Sequence, residues 1–540
     1  MSFQTRYFNL DEVAAIRAAA LEFPSWSLSD RQTCDVELIL NGAFFPLTGF
    51  MTEADANTVI DSNTWQGHFF PVPIMLDVTA EFADQVTVGQ DISLRDREGA
   101  LIAVLKLTEK FPLAGIEPYC DEVEICLAGE IWGVEAPVHY DFNHIRMSPE
   151  EVRNQFDQLG WCNVLGFDAQ RPLHQKQVHE INQVARSMDA NLLIMPSVGV
   201  TDTGDIHHYA LMHCFEHVQN RFPTQSAALC MLPLVRRHSG VRDVLLHALV
   251  LQNYGCSHYL VDENICFAGA TDQDDISLQE SLLTFDERLD ISLVQKDHMV
   301  YCAQRGGFIA RREVKEQSTV QEFSRQALQE HLESGLDIPQ WYTYPEIITE
   351  LKKICKPRTE QGFTLFFTGL SGSGKSTMAN IMLVRMMEMG ARPVTLLDGD
   401  IVRQMLSSEL GFSKEHRDLN IRRIGYVASQ LTRQGGIAIC ALIAPYREAR
   451  RAVRSMVEEV GGFIEVHVAT SIEECERRDR KGLYARARAG IIKEFTGVSD
   501  PYEVPGNPEL VVDTQDVTPE ESAQEVMLVL EKLGYLKQAD

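Results

Sequence analysis

The chain has no excess of positive charge: 49 Lys and Arg stand against 77 Asp and Glu, a formal net charge of −28 over 540 residues. A broad nucleic-acid or anionic-membrane surface needs a basic face, so neither partner is expected, and any anionic ligand must be held by local basic clusters. Long apolar runs are missing too, since none reaches the ~20 residues that cross a bilayer. The twelve cysteines are scattered, with no C-x-x-C pair and no zinc-ribbon spacing. With a start that lacks a signal-peptide pattern, this leads us to expect a cytoplasmic protein with reduced, mostly buried thiols. Internal repeats and low-complexity tracts are also absent. The remainder is ordinary for a globular protein, 45% hydrophobic and 23% charged, and long enough for three or four domains.

The most informative segment present is FFTGLSGSGKSTMAN, which fits G-x-x-x-x-G-K-[ST]. An apolar strand-like run, Phe363 to Phe367, precedes it, and a helical pattern (Ile381, Met382, Val384, Met387) follows. That context gives the motif mechanical meaning. Gly369, Gly372 and Gly374, with Ser371, Ser373 and Thr377, let backbone amides turn around ATP phosphates at a helix N-terminus. Lys375 reaches the β/γ-phosphates and Ser376 offers a hydroxyl to Mg²⁺.

Patterning divides the chain into four. Residues 1–135 read as short alternating strands and turns, a β-rich domain. Residues 136–295 alternate strands (NLLIMPSVG, SHYLVDE) with amphipathic helices such as VRDVLLHALVLQNYG, stopped by Gly255. Residues 296–355 form a small mixed subdomain ending in the polar linker KKICKPRTEQG. Residues 356–540 carry five strand-like runs with intervening helices, a P-loop α/β domain with a parallel sheet.

Phosphate binding alone does not name a reaction. LLDGD, VRQMLSSELGFSKEHRDLNIRRIG, ALIAPYR and RKGLYARARAGIIKEFTGVSDPYE, in that order, resemble adenylylsulfate kinases (APS kinases) over most of residues 360–535. The resemblance implies transfer of the ATP γ-phosphoryl to the 3′-hydroxyl of adenylylsulfate, giving 3′-phosphoadenylylsulfate and ADP. It implies that Asp398 orients the hydroxyl, takes its proton, and holds Mg²⁺ through water. Asp400, Arg403, Phe412, Arg417, Asn420, Lys481 and Phe495 are implied for adenylylsulfate, the two rings sandwiching its adenine, and Arg477 for the adenine of ATP. Plainer roles stay open: Asp400 as cap of a helix beginning at Ile401, and Phe412 and Phe495 as core rings. Family members often carry a phosphorylatable Ser where Ala444 stands here, so direct in-line transfer is expected.

Residues 1–352 resemble ATP sulfurylases (sulfate adenylyltransferases), through CDVELILNGAFFPLTGFM, PVPIMLDV, PSVGVTDTGDI, RHSGVRDVLLHALVLQNYG and IPQWYTYPEIITELKK. That implies a PUA-like N-terminal domain, a Rossmann-like α/β domain, and a fusion of the two enzyme types that forms homo-oligomers. The sulfurylase motif Gln-x-Arg-Asn-Pro-x-His-x-x-His is altered. Aligned on Pro172 and His174, its Gln becomes Asp168, its Arg becomes Gln170, and its second His becomes Gln177. A shifted alignment restores Gln170 and Arg171 to the polar positions. The second nucleotide segment reads Val261-Asp262-Glu263-Asn264-Ile265-Cys266-Phe267, and the usual Thr-Lys is Thr201-Asp202, whereas Arg237 and Arg242 survive. One wrong-sign charge about 5 Å from an anion costs about 3 kcal/mol at an effective dielectric of 20. We therefore expect a kinase with a degenerate sulfurylase site, the alternative being an active bifunctional enzyme. His213 and His217, four apart, share a helical face, and a packed face is the expectation there rather than a metal.

Overall fold

The computed structural model describes residues 5–112, 124–199, 208–235, 237, 240–261, 288–296, 298–315, 319–390, 392–479 and 481–536. The chain forms two compact units, residues 1–324 with 338–354, and residues 325–337 with 355–540. One division point lies at 354/355, and residues 296–354 contribute to both units. The helix Arg325–Ser334 groups with the C-terminal unit, where Arg358 N donates to Glu333 O at 3.2 Å.

The N-terminal unit begins with a six-stranded sheet. Its antiparallel heart is Asp91–Arg95, Leu101–Pro112 and Ile125–Gly133. The first five residues of Leu101–Pro112 are all buried, and its second half tends to alternate, as expected of a strand covered on both faces only at one end. A five-stranded parallel sheet follows, in the order Ala227–Leu229, Asn191–Pro196, Val164–Ala169, His258–Leu260, Ser292–Val294. Every residue of its central strand is buried. The helix Val241–Asn253 is buried nearly all round, consistent with its apolar run Val244–Leu251, interrupted only by His247. A three-stranded antiparallel sheet centred on Met299–Cys302 completes the unit.

The C-terminal unit repeats the parallel theme, in the order Val394–Asp398, Ile437–Ala441, Phe363–Thr368, Gly462–Val468, Leu510–Val512. Side chains alternate across the central strand. Phe363, Leu365 and Phe367 pack with Met378, Met382 and Val526 on one face, and Phe366 packs with Val402, Ile424 and Val453 on the other. In both parallel sheets the strand order reverses beside the central strand, which opens a crevice at its carboxyl end. Both candidate sites lie there.

Candidate active site

The strand Phe363–Thr368 runs into the loop 369–374 and then the helix Lys375–Met389. Gly369 has φ +150°, and a Cβ there would sit 2.5 Å from the carbonyl oxygen of Val468, so no side chain fits. The loop is braced from behind: Thr470 and Thr514 hydroxyls both donate to Ser373 O at 3.0 Å, and Tyr484 Oη donates to Ser371 O at 2.8 Å. Lys375 is buried, its Nζ donating to Leu370 O at 2.6 Å. Burial pulls its ammonium down to about 8, against the opposing pull of Asp398 and Asp400.

Asp398 ends its strand and caps the helix Gly399–Leu406, accepting from Asp400 N at 3.0 Å through Oδ1. Its other oxygen accepts from Ser376 Oγ at 3.0 Å. The cap is therefore Asp398, not Asp400, and the helix starts two residues before Ile401. Asp400 instead pairs with Lys481, and both are largely exposed. Ser376 and Asp398 bring a hydroxyl and a carboxylate together, a hard-oxygen donor set that suits Mg²⁺.

Among the residues expected to bind the acceptor, the Arg403 guanidinium lies 4.4 Å from the Phe412 ring centroid and donates to Leu410 O and Gly411 O at 3.1 and 2.9 Å. Phe412 is 64% exposed, which rules out a core role. Phe495 is half-buried, edge-on to Tyr484 at 5.1 Å. Arg417 is buried and donates to Thr496 Oγ1, to Asp500 and to the carbonyl of Glu494. Asn420, one turn further along the helix Lys414–Arg433, is buried with its Oδ1 unpartnered among the described residues. Arg477 stays outside this cluster, exposed and held twice by Glu474 at 2.6 and 2.7 Å.

At the equivalent crevice of the N-terminal unit, Asp168 is buried at the end of the strand Val164–Ala169. It accepts from Ser197 Oγ at 2.6 Å and from Gln170 Nε2 at 3.0 Å, and lies 2.6 Å from Nδ1 of buried His247. Burial alone would raise its carboxyl, but the His247 charge and these hydrogen bonds win and hold it below the ordinary range. His174 is buried, its Nδ1 2.8 Å from Thr343 Oγ1 and its ring 4.5 Å from Tyr342. Burial pushes its pKa down to about 4, so the ring is neutral at pH 7. Gln177 accepts from His174 N at 3.2 Å, closing the helix start, while His179 packs its ring 5.8 Å from Phe308. Arg237 pairs with Asp35, and Arg242 donates to Ile60 O. Arg171 is half-buried. Thr201, Asp202 and residues 262–267 lie outside the described residues.

A family model for adenylylsulphate kinase matches residues 361–513, one for ATP-sulfurylase matches 143–354, and a PUA-like domain matches 2–123. The chain is 38% identical to sulfate adenylyltransferases of Phaeosphaeria nodorum, covering 96% of both chains, and of Gibberella zeae, covering 98% and 97%. It is also 38% identical to a solved structure described as a hexameric APS kinase from Thiobacillus denitrificans, with TM-score 0.83 and 98% and 97% coverage. The chain belongs to the fused ATP sulfurylase–APS kinase family.

Within this fused-family chain the structure brings together Lys375, Ser376, Asp398, Asp400 and Lys481 beyond the central strand, and separately Arg403 with Phe412. In the sulfurylase-type domain Asp168 meets Gln170 and His174 meets Gln177, while Arg237 and Arg242 turn to Asp35 and Ile60, in the β-rich domain. Sequence reasoning missed Asp500, Tyr446, Ser197 and His247 as partners. No local pattern marks them, because each meets its partner from a distant segment. His213 and His217 face Glu350 at 3.4 and 4.0 Å, with Lys353 on the same carboxylate, and no group of three ligating side chains is arranged for a metal among the described residues. No helix among them is long and apolar enough to cross a membrane.

Proposed function

We propose that this chain is an adenylylsulfate kinase whose sulfurylase-type domain performs no adenylation of sulfate. The carrying observation is the convergence of Lys375, Ser376 and Asp398 at the end of the central strand, with the Arg403–Phe412 pair on the next helix and loop. Loop amides and Lys375 bind and orient the ATP phosphates, and the buried ammonium acts with little screening. Asp398 accepts the proton of the acceptor 3′-hydroxyl as its oxygen attacks the γ-phosphorus in line, and ADP leaves with the former bridging oxygen. Ser376 and Asp398 would hold Mg²⁺, which when bound neutralises charge on the transferred group. Phe412 and Phe495 take the acceptor base, Arg403 and Arg417 its phosphosulfate, and Lys481 moves from Asp400 to phosphate when substrates bind. Ala444 leaves no hydroxyl for a phosphoenzyme at that position.

The negative half of the proposal rests on commitment of side chains. Asp168, Gln170, His174, Gln177, Arg237 and Arg242 each make a protein contact, and the His174 ring is neutral at pH 7. A second reading, the bifunctional enzyme, is favoured by the names of the fungal relatives. Their identity equals that of the chain described as an APS kinase, so similarity alone does not choose. The four-part division, cytoplasmic residence and homo-oligomeric assembly belong to the same proposal, the last supported by the hexameric description of that relative. Full-length protein should convert adenylylsulfate and ATP to 3′-phosphoadenylylsulfate and release no pyrophosphate from ATP and sulfate above background. Robust sulfate-dependent pyrophosphate release would replace this reading with the bifunctional one.

A further inference from the structure

Three segments of the kinase domain meet at one carboxylate. Arg417 comes from the first turn of the helix Lys414–Arg433, Tyr446 from the loop after the strand Ile437–Ala441, and Asp500 from the loop 494–500. Arg417 Nη1 and Tyr446 Oη both donate to Asp500 Oδ2, the latter at 2.7 Å. Burial first, and then the hydrogen bond to Asp500, push the Tyr446 hydroxyl up to about 12, so it stays a donor at physiological pH.

Arg417 donates three hydrogen bonds to the protein. A guanidinium has five N–H groups. Nη1 uses both of its own, on Thr496 Oγ1 at 3.0 Å and on Asp500, and Nη2 uses one on Glu494 O. Among the described residues no partner takes the Nε–H or the second Nη2–H. They belong to neighbouring nitrogens of one planar fork, the pattern that binds two oxygens of a phosphate or sulfate. Glu494 holds φ +55° and Ala444 φ +43°, a left-handed backbone that non-glycine residues adopt only when the surroundings enforce it. Each of these two carbonyls is taken by a buried arginine, Glu494 O by Arg417 and Ala444 O by Arg450 Nη1 at 2.6 Å. The loop bearing Phe495 and the loop bearing Tyr446 are thus tied to Arg417 and to each other.

Building on the kinase reading above, we propose that Asp500 and Tyr446 are positioning residues for the phosphoryl acceptor. The Asp500 carboxylate fixes the back of the Arg417 guanidinium, so that the remaining fork meets the acceptor's anionic group, and Tyr446 fixes the carboxylate. Phe495, carried on the same loop, receives the base at a set distance from that cation. Recognition of anion and base is therefore one rigid unit organised by a carboxylate that touches neither.

The test uses full-length protein and steady-state transfer from ATP to adenylylsulfate. Asp500→Asn should raise KM for adenylylsulfate about tenfold, the loss of one charge-assisted orienting contact, with KM for ATP unchanged and kcat within about twofold. Tyr446→Phe should raise the same KM about threefold, as expected for one neutral hydrogen bond. Should Asp500→Asn unfold, seen by thermal melting, Tyr446→Phe decides the matter alone. A fall in acceptor KM would make Asp500 a competitor of the substrate anion and overturn the proposal. So would parallel losses in both substrates' KM, or no change. Failure of the wild type to transfer phosphoryl to adenylylsulfate would sink the kinase reading along with this one. Normal wild-type transfer with an unmoved KM in the variants would sink only the positioning role.

Discussion

The two parallel sheets of this chain offer the same topological opportunity and line it with different side chains. In each, a central strand ends where the strand order reverses. After Thr368 comes a loop of glycines whose amides are backed by Thr470, Thr514 and Tyr484, with charged Asp400 and Lys481 left at the surface. At the end of Val164–Ala169 stands Asp168, almost wholly buried with His247 and Ser197 around it. The first crevice keeps exchangeable, solvent-facing charge. In the second, the described Asp168, Arg237 and Arg242 are turned to protein partners. A crevice at a switch point is thus an architectural consequence of winding a sheet both ways, whereas function depends on whether its polar groups are left to a ligand.

That contrast can be broken by mutation, and the largest effect belongs to Lys375. Lys375→Ala should lower the rate of 3′-phosphoadenylylsulfate formation at least a hundredfold, about 3 kcal/mol of transition-state stabilisation, with melting temperature preserved. A variant with near-normal turnover would remove the kinase crevice from the comparison. Asp398→Asn should slow transfer by about a hundredfold while ATP affinity, read by calorimetry, stays put. Equal losses in both would assign Asp398 chiefly to metal.

In the other crevice the effect should appear in stability instead. Asp168→Asn breaks a buried ion pair and should cost about 3 kcal/mol in denaturant unfolding of the N-terminal unit, leaving kinase turnover unchanged. A loss of turnover without a loss of stability would mean that the crevice has a working role.

A pH series gives a smaller effect. Lys375 has its pKa lowered from 10.5 to about 8, so the free enzyme loses this charge as pH rises from 7 to 9. ATP affinity should fall about tenfold across that range, because a deprotonated amine no longer attracts the phosphates. The same shift acts oppositely on folding. Between pH 8 and 10.5 the unfolded chain holds the proton that the folded chain has released, so this group's contribution to stability rises with pH. Flat ATP affinity from pH 7 to 9 would show that Lys375 does not sense solvent pH. The smallest expected effect is none: Asp168→Gln combined with Gln177→His should leave sulfate-dependent pyrophosphate release at background, since Arg237 and Arg242 remain committed elsewhere. Any gain would indicate a site one or two side chains from activity.

Much of this was legible in the linear chain. Gly369, Gly372 and Gly374 declare a loop because positive φ belongs to glycine, and the runs around them alternate or repeat at the periods of strands and helices. The five strands of the kinase sheet and the buried helix Val241–Asn253 follow from such local rules. So does the acidic surface, which is a matter of counting.

Only the tertiary structure decided which partner each charge would meet. Asp168 reads from the sequence as a repulsive charge facing anions, yet it is paired with His247, 79 positions away by numbering. Arg237 reads as a surviving anion ligand, yet it meets Asp35 across 202 residues, and Arg417 meets Asp500 across 83. Backbone conformation is set largely by neighbours a few residues away, so a sequence states it directly. A long charged side chain takes the best-oriented partner that folding brings within reach, and that partner is chosen by the path of the whole chain.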